Sequence, residues 1–468
     1  MAIVNCYIDL RILMSTKLQI DSGFDSHKIG SYKQLWMVAL PLMLSYLANT
    51  MMLLADRMIL AQYSLAAMNA AAIIGTIVFM VHYFFATIAI LSEVLIGKAN
   101  GAKHYLQAAK PTWQMIWMTI ATIPFMLLIA NTIGPYVVPH EYYIIGEEYY
   151  KILLYFASLF VFITTLAAFF VAIGKTKVII ISTIVGNLLN IVLDFLLIFG
   201  YKDLIPELGI KGAAIASNIG LGAQALILLI AFLQKKYRDK YQTHVPQWCF
   251  ATLKKCLKLG FPTAIGITLE VSAWSFFLYF LPSVSKYHIT VFTIGQTLFI
   301  GVTFLTDGLK KALVSIISNC IGGKKEQYSF QVMKTAFISY TASSVLISLL
   351  AVLFSVHIMD FFIADNADFE LTQTLYKDSK LIMLSLAFFF IIEGYGWIFS
   401  GYLAAKEQVM FIMFVSAGCA WLTSALPMYL LFKYYDIIYL LVWVLFSSYA
   451  VWSAIIFLWK SANLLKCK

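Results

Sequence analysis

The sequence predicts an all-α integral membrane protein, with twelve transmembrane helices in two pseudo-symmetric six-helix lobes around a central cavity. Two observations lead to this fold class. The 468 residues are 62% apolar and only 12% charged, whereas an ordinary soluble domain has about 25% charged residues. Apolar runs long enough to cross a bilayer recur along the whole chain, and the last six echo the first six.

Each predicted span is an apolar run of about 18 residues or more, the length that a helix needs to cross roughly 30 Å of hydrocarbon. The loops between the runs are too short for a soluble domain. The twelve spans cover residues 35–61, 65–96, 113–137, 152–173, 178–199, 212–233, 261–281, 290–321, 336–358, 381–403, 409–432 and 437–459.

The basic residues predict the orientation, because Lys and Arg near helix ends stay on the cytoplasmic side of a membrane. With the amino terminus inside, the even-numbered loops and both tails hold 23 of the 33 Lys and Arg residues. The opposite loops are acidic, with Glu141, Glu147, Glu148, Asp203, Glu207, Asp360, Asp365, Asp368, Glu370 and Asp436. We therefore expect both termini in the cytoplasm, and a net charge of +10 that reflects topology and anionic lipid, with no nucleic-acid partner.

The most polar interior stretch divides the chain into six helices and six. The motif ending at Lys103 (ANGAK) closes the second helix, and the motif ending at Lys324 (CIGGK) closes the eighth. The predicted organisation is a cytoplasmic N-terminal segment (1–33), an N-lobe (34–234), a basic cytoplasmic linker (235–258), a C-lobe (259–460) and a cytoplasmic tail (461–468). In transporters built from such repeats, the substrate path lies between the halves.

Six acidic residues fall inside the predicted spans. A carboxylate at bilayer depth costs about 2.5–3.5 kcal/mol even on the mild insertion scale, so these side chains must face a wet or paired interior. They are Asp56, Glu93, Asp194, Glu270, Asp307 and Glu393.

In the first half, the acids stand on polar helix faces. Asn187, Asn190 and Asp194 follow one face of the fifth helix, since residues three, four and seven apart share a face. Asp56 projects from the first helix, where pairing with Arg57 or solvation near an outer helix end is the alternative. We interpret Asp56, Asn190 and Asp194 as a proton or cation site, with Asn187 as a cavity residue.

In the second half, Glu270 stands one turn before Trp274, and Glu393 one turn before Trp397. Each acid is a candidate for binding a proton or Na⁺, and each tryptophan is a candidate for lining the cavity. A structural acid held by hydrogen bonds is the alternative at both positions.

The eighth helix carries Asp307, Lys310 and Lys311 on one face. One interpretation is a self-neutralised patch, in which Asp307 pairs with either lysine. The other is a cationic site that binds an anionic group of the substrate. Glu93 belongs either to this network or to the end of the second helix.

No chemical motif points to catalysis or to ATP hydrolysis. The sequence has no Gly-x4-Gly-Lys-Ser/Thr loop, no nucleophile elbow and no cluster of metal ligands at zinc spacing. We therefore predict a protein that is not an enzyme, with no cofactor and no metal site, whose energy comes from an H⁺ or Na⁺ gradient.

Four motifs resemble those of one transporter family. Residues 55–67 are similar to a Val-Asp-x4-Gly segment that ends the first helix, and residues 96–102 (IGKANGA) to Val-Gly-Gln-x-x-Gly-Ala at the end of the second. Residues 174–216 form the most specific match, and residues 259–271 resemble the seventh-helix motif. Over nearly the whole chain the sequence resembles the multidrug and toxic compound extrusion (MATE) family of the MOP exporter superfamily.

The resemblance implies roles for the buried acids. Asp56, Asn190 and Asp194 correspond to the family's amino-lobe proton or cation site, and Glu270 to the glutamate that binds the coupling ion. Glu393 falls where the family has an aspartate.

Two further departures bear on the coupling ion or on the substrate. Phe389 replaces a tyrosine of the sodium-coupled branch, and Lys310 and Lys311 replace small residues. Because two lysines repel a cation, anionic and neutral substrates are alternatives to cationic ones.

The predicted function is a cation-coupled (H⁺ or Na⁺) antiporter that exports small amphiphilic compounds or drugs by alternating access. The alternative is a flippase for lipid-linked oligosaccharides or precursors, and a receptor-like or scaffold protein is a third hypothesis. We expect a multi-pass protein of the bacterial cytoplasmic (inner) membrane that contacts lipid and a small-molecule substrate. We also expect it to be a monomer without an obligate protein partner.

Overall fold

The computed structural model describes residues 27–202, 204–281, 286–362, 369–434 and 439–466. Within these ranges the chain is helical, apart from loops and one isolated bridge between Tyr201 and Ile205. Parts of the sequence predictions lie outside the described residues: most of the N-terminal segment, the acidic loop residues Asp203, Asp365, Asp368 and Asp436, and the end of the C-terminal tail.

Twelve long helices follow one another along the described chain, and each contains most of one predicted span. The predicted fold class is therefore confirmed. The helices are α1 (Tyr32–Tyr63), α2 (Leu65–Ile90 and Ser92–Gly101), α3 (Tyr105–Thr132), α4 (His140–Tyr155 and Ser158–Ala172), α5 (Lys177–Ile198), α6 (Gly209–Phe232), α7 (Phe250–Phe280), α8 (Lys286–Gly322), α9 (Ser329–Leu353), α10 (Phe369–Ala405), α11 (Val409–Gly418, Cys419–Ala425 and Leu426–Tyr434) and α12 (Tyr439–Lys466).

Eleven of the twelve helices contain a stretch of described residues that is long and apolar enough to cross a membrane. Helix α7 begins at Phe250, well before the predicted residue 261, and so includes Lys254, Lys255 and Lys258. Its first turns reach into the predicted linker (235–258). A hydropathy pattern ends at charged residues, whereas a helix can continue past them out of the bilayer.

Local chemistry explains two helix boundaries and one irregularity. Ser31 and Ser64 cap α1 and α2, each hydroxyl accepting a hydrogen bond from a backbone N–H three residues later (3.2 and 3.4 Å). The central segment of α11, Cys419–Ala425, is a π-helix. From this segment the Trp421 indole N–H donates to the Leu269 carbonyl of α7 at 3.0 Å.

The helices form two lobes of six. In the N-lobe, α5 packs along α6 and α1, and α2 packs against α4. In the C-lobe, α10 packs against α8, α9 and α12, while α7 packs against α11. The main contacts between the lobes join α1 and α2 to α7 and α8. Two helices of each lobe therefore border the space between the lobes.

Two glycines bring the lobes together at the end of the bundle that carries the basic loops. Gly101 of α2 lies against the backbone of Asn319, and Gly322 of α8 lies against the backbone of Lys98. A Cβ atom at either glycine would collide with the opposite carbonyl oxygen. Helices approach this closely only through residues without bulky side chains. We call these four residues the glycine seam.

The glycine seam joins the two repeated sequence motifs, which end at Lys103 and Lys324, in equivalent positions of the two lobes. Each glycine stands one turn after the residue that contacts the other glycine, so the two contacts are equivalent. Lys98 Nζ bonds to Glu407 Oε1 (2.5 Å) between α10 and α11. Asn319 Nδ2 donates to the Ala172 carbonyl (2.7 Å) at the corresponding end of α4. Each lobe is therefore tied to a loop region of the other.

The glycine seam predicts which substitutions open this end of the bundle. Leucine at Gly101 or Gly322 cannot fit, and overpacking costs about 1–3 kcal/mol. We expect maleimide labelling of the buried Cys320 to become roughly tenfold faster, as a change of ~1.4 kcal/mol implies. The labelling rate is measured in a variant whose other cysteines are serine. Gly222→Leu is the control, because no neighbouring atom lies within 4 Å of that position; equal rates in all variants would argue against a tight seam.

Candidate functional site

One pocket of the C-lobe brings together four of the predicted site residues. Glu270 of α7, Lys310 of α8, and Glu393 and Trp397 of α10 line a cavity of about 60 Å³. Because a water molecule occupies about 30 Å³, the cavity holds an ion or a few waters. A drug-sized ligand needs about 300–1,000 Å³, so in this conformation the pocket has the size of an ion site.

Glu393 is a buried acid with one bonded carboxylate oxygen and one that is free within the described chain. Its side chain is 5% exposed, and its Oε1 atom accepts a hydrogen bond from the Tyr449 hydroxyl of α12 (2.6 Å). Its Oε2 atom has no hydrogen-bond partner among the described residues. On the same turn, Gly394 lies under the ring of Tyr340, whose hydroxyl donates to the Phe390 carbonyl (2.5 Å). Helix α10 is thus fixed where Glu393 faces the pocket.

Trp274 lies beside this pocket and does not line it. Its ring packs against Phe299, Phe389 and Phe446 with centroids 4.6–5.9 Å apart. Phe389 is fully buried within this aromatic cluster. The ring of Trp274 also contacts that of Tyr449, which lines the pocket (centroids 6.4 Å apart), so the structure assigns Trp274 a packing position.

The two lysines of α8 point to different neighbours. Lys310 Nζ lies 3.8 Å from the centroid of the Trp397 ring, and Lys311 Nζ lies 5.3 Å from that of Tyr46 on α1. Within the described chain Asp307 forms an ion pair with neither lysine, so the expected direct pairing is not formed. Sharing a helix face brings such side chains near each other, but here the aromatic rings hold the ammonium groups.

Glu93 joins the charged network between the lobes. Its side chain is 3% exposed, its Oε2 atom has no partner among the described residues, and the charges of Lys310 and Lys311 act on it. Of the two alternatives for Glu93, the structure supports membership of this network.

The N-lobe holds a second group of buried acids. Asp194 is fully buried and Asn190 is 1% exposed. The side chains of Asp194 and Asp56 interact directly, yet several of their oxygens have no partner among the described residues. Two adjacent carboxyl groups repel each other unless a proton or a metal cation lies between them. Arg57 is exposed and forms no ion pair with Asp56.

The polar face of α5 is divided between two environments. Asn190 Nδ2 points to Ser217 Oγ of α6 at 3.5 Å, beside the acids. Asn187 Nδ2 donates instead to Asn49 Oδ1 of α1 at 3.1 Å, at an exposed position. Asn187 therefore joins α5 to α1 on the surface of the lobe and does not share the site of Asp194.

Sequence reasoning missed the two tyrosines that complete these sites. Tyr449 binds Glu393, and Tyr149 of α4 lies near Asp56 and Asp194, whose charges act on it. The chain has 27 tyrosines, and neither of these two stands on a polar helix face. No local signal distinguishes them, because their partners come from other helices.

A two-lobe helical bundle that encloses ionisable groups in each lobe is the architecture of a membrane transporter. The MatE family model matches residues 41–196 and 262–430. The chain belongs to this family, and the resemblance inferred from its motifs is confirmed.

Relatives and solved structures agree with this assignment. The probable multidrug resistance protein NorM of Pasteurella multocida is 25% identical over 413 residues, covering 86% of this chain and 87% of the relative. A crystal structure of MATE in the straight conformation matches with a TM-score of 0.83 and 16% identity, covering 96% of this chain and 99% of the other. A MOP superfamily transporter from Pyrococcus furiosus, described as having a binding pocket of reverse polarity, matches with a TM-score of 0.82 and 16% identity over 95% and 98% of the two chains. The solved structures show that the fold is shared.

The N-lobe site predicts an unusual stability result. Neither oxygen of Asp194 has a partner among the described residues, and an unpaired buried carboxylate is costly. We therefore expect Asp194→Asn to keep or raise the midpoint of thermal unfolding in detergent near neutral pH. Asn218→Ala is the comparison, because it removes the bond from Asn218 Nδ2 to the Ile152 carbonyl (3.0 Å) and should cost about 0.5–1.5 kcal/mol. An equal loss in both variants would show that Asp194 has a structural role.

Proposed function

We propose that this chain is a cation-coupled antiporter that exports small amphiphilic compounds from the cytoplasm by alternating access, with H⁺ or Na⁺ as the coupling ion. One observation carries the proposal: each lobe encloses a carboxyl group, Asp194 in one and Glu393 in the other, with an oxygen that has no hydrogen-bond partner among the described residues. Membership of the MatE family and relatives described as multidrug resistance proteins support it.

An enclosed carboxyl group is suited to ion exchange. Leaving a charge buried and unpaired costs about 3–5 kcal/mol, so Asp194 and Glu393 favour any state in which a proton or metal cation is bound, and Glu270 lines the same pocket as Glu393. When the cavity opens to water, that cation can leave and a substrate can take its place. Competition for one set of carboxylates is the simplest way to couple the two movements.

The lobe contacts support alternating access. The lobes meet mainly through two helices each, α1 and α2 against α7 and α8, and the glycine seam closes the basic end of the bundle. The excess of Lys and Arg assigns that end to the cytoplasm. We infer that the structure represents a state closed to the cytoplasm, and that separation of α2 from α8 opens the cavity for loading.

The charge of the cavity does not favour a flippase for diphosphate-linked lipids. Four carboxyl groups act on Lys310: Asp307, Glu270, Glu93 and Glu393. The four carboxyl groups outnumber the two lysines, Lys310 and Lys311. The ammonium groups of these lysines already contact the rings of Trp397 and Tyr46. A diphosphate would meet an acidic surface here, which electrostatic complementarity disfavours.

The proposal predicts the outcome of transport measurements in proteoliposomes. A panel of cationic, neutral and anionic fluorescent compounds is tested for uptake driven by an imposed H⁺ or Na⁺ gradient. We expect wild type to accumulate at least one compound, and Asp194→Asn and Glu270→Gln each to lower the rate roughly tenfold or more, since loss of one coupling carboxylate removes at least ~1.4 kcal/mol of driving interaction.

Glu148→Gln is the matched control, since Glu148 has a side chain 67% exposed and lies outside both sites. Its rate should equal that of wild type. Unchanged rates in both acid variants, or transport that ignores every imposed gradient, would contradict ion-coupled export.

A further inference from the structure

The C-lobe pocket contains a cation of its own. Lys310 lines the same cavity of about 60 Å³ as Glu270 and Glu393, and its Nζ atom rests on the ring of Trp397. The Trp397 side chain also interacts with Glu393. A single indole thus fixes the ammonium group and one of the two carboxyl groups relative to each other.

The cavity has little room for a second cation beside this ammonium group. A space of about 60 Å³ must hold any bound ion together with its remaining hydration. A metal ion would also be repelled by Lys310 at short range, because charges are screened less inside a protein than in bulk water. The fixed ammonium supplies one of the two positive charges that Glu270 and Glu393 require.

The backbone around the pocket supplies few ligands for Na⁺. Transporter sites for Na⁺ draw on carbonyl groups of unwound helices. Here α7, α8 and α10 are continuous helices through Glu270, Lys310 and Glu393, so their carbonyls are used within each helix. Pro262 frees a carbonyl at Lys258, but that position lies about three turns before Glu270. Among the described residues no cluster of three or more His, Cys, Asp or Glu side chains could hold a metal ion.

We propose that Lys310 is a built-in counter-cation that excludes Na⁺ from the C-lobe pocket, so that Glu270 and Glu393 exchange protons. This inference rests on the proposed function and names its coupling ion as H⁺. The unpartnered Oε2 atom of Glu393 accepts the proton, and the Tyr449 hydroxyl keeps Oε1 in place. Lys310 therefore determines ion specificity.

The groups facing this cluster come from every helix around it. They are Asp307 and Lys311 on α8 itself, Tyr46 on α1, Tyr83 and Glu93 on α2, Glu270 on α7, Tyr340 on α9, Glu393 on α10 and Tyr449 on α12. Lys310 is the lysine among them that lines the C-lobe pocket. Lys311 points to α1 and offers a matched control of identical chemistry one residue away.

The test is binding of radiolabelled Na⁺ to the purified full-length chain in detergent, which needs no knowledge of the substrate. We expect wild type and Lys310→Arg, which keeps the charge, to show no saturable binding that Glu393→Gln removes. Lys310→Met and Lys310→Gln should each gain saturable binding, which a second change, Glu393→Gln, removes. Lys311→Met should gain none.

Three outcomes would overturn the proposal: saturable Na⁺ binding to wild type that Glu393→Gln abolishes, folded Lys310→Met and Lys310→Gln variants that bind no Na⁺, or equal gains from Lys310→Met and Lys311→Met. The measurement on wild type and Glu393→Gln tests the proposal even if a Lys310 variant does not fold. Dye transport under an H⁺ gradient is measured separately, so failure of ion-coupled export is distinguished from a wrong coupling ion.

Discussion

Carboxyl groups placed inside the membrane-spanning bundle constrain the rest of this structure. Each must be matched by a proton, a metal ion or a basic side chain, because an unpaired charge in a membrane interior is too costly to keep. The N-lobe leaves Asp56 and Asp194 without a basic partner among the described residues, whereas the C-lobe places Lys310 beside Glu270 and Glu393. The two lobes share an architecture and differ in how they balance charge.

The sequence predicted the helices and the buried acids, because each of these features can be detected within a single stretch of sequence. Length and hydropathy identify a span, and an Asp or Glu inside a span is conspicuous in apolar surroundings. The start of α7 at Phe250 escaped the same reasoning, since Lys254 and its neighbours end the apolar run without ending the helix. Family motifs then related Asp194 and Glu270 to known positions.

Other features depend on tertiary contacts that no single segment records. Tyr449 and Tyr149 meet their carboxyl partners across helices. Asp307 shares a helix face with two lysines, but aromatic rings from α1 and α10 hold the ammonium groups instead. Trp274 follows Glu270 by one turn, as Trp397 follows Glu393, yet one ring packs in a cluster and the other lines the pocket. The spacing of residues along a helix predicts which side chains share a face of that helix. It does not predict which other helix packs against that face.

The π-helical segment of α11 has a consequence for how the C-lobe can move. A π turn contains an extra residue, so the parts of the helix before and after it are out of phase. Val409–Gly418 packs against α7, while Leu426–Tyr434 reaches α12, and Trp421 between them holds the carbonyl that precedes Glu270. If α7 rotates, the first part of α11 must rotate with it. The π-helical turn can absorb this rotation, so that the last part of α11 keeps its contact with α12. A displacement of Glu270 could then leave in place the contact between α11 and α12, the helix that carries Tyr449.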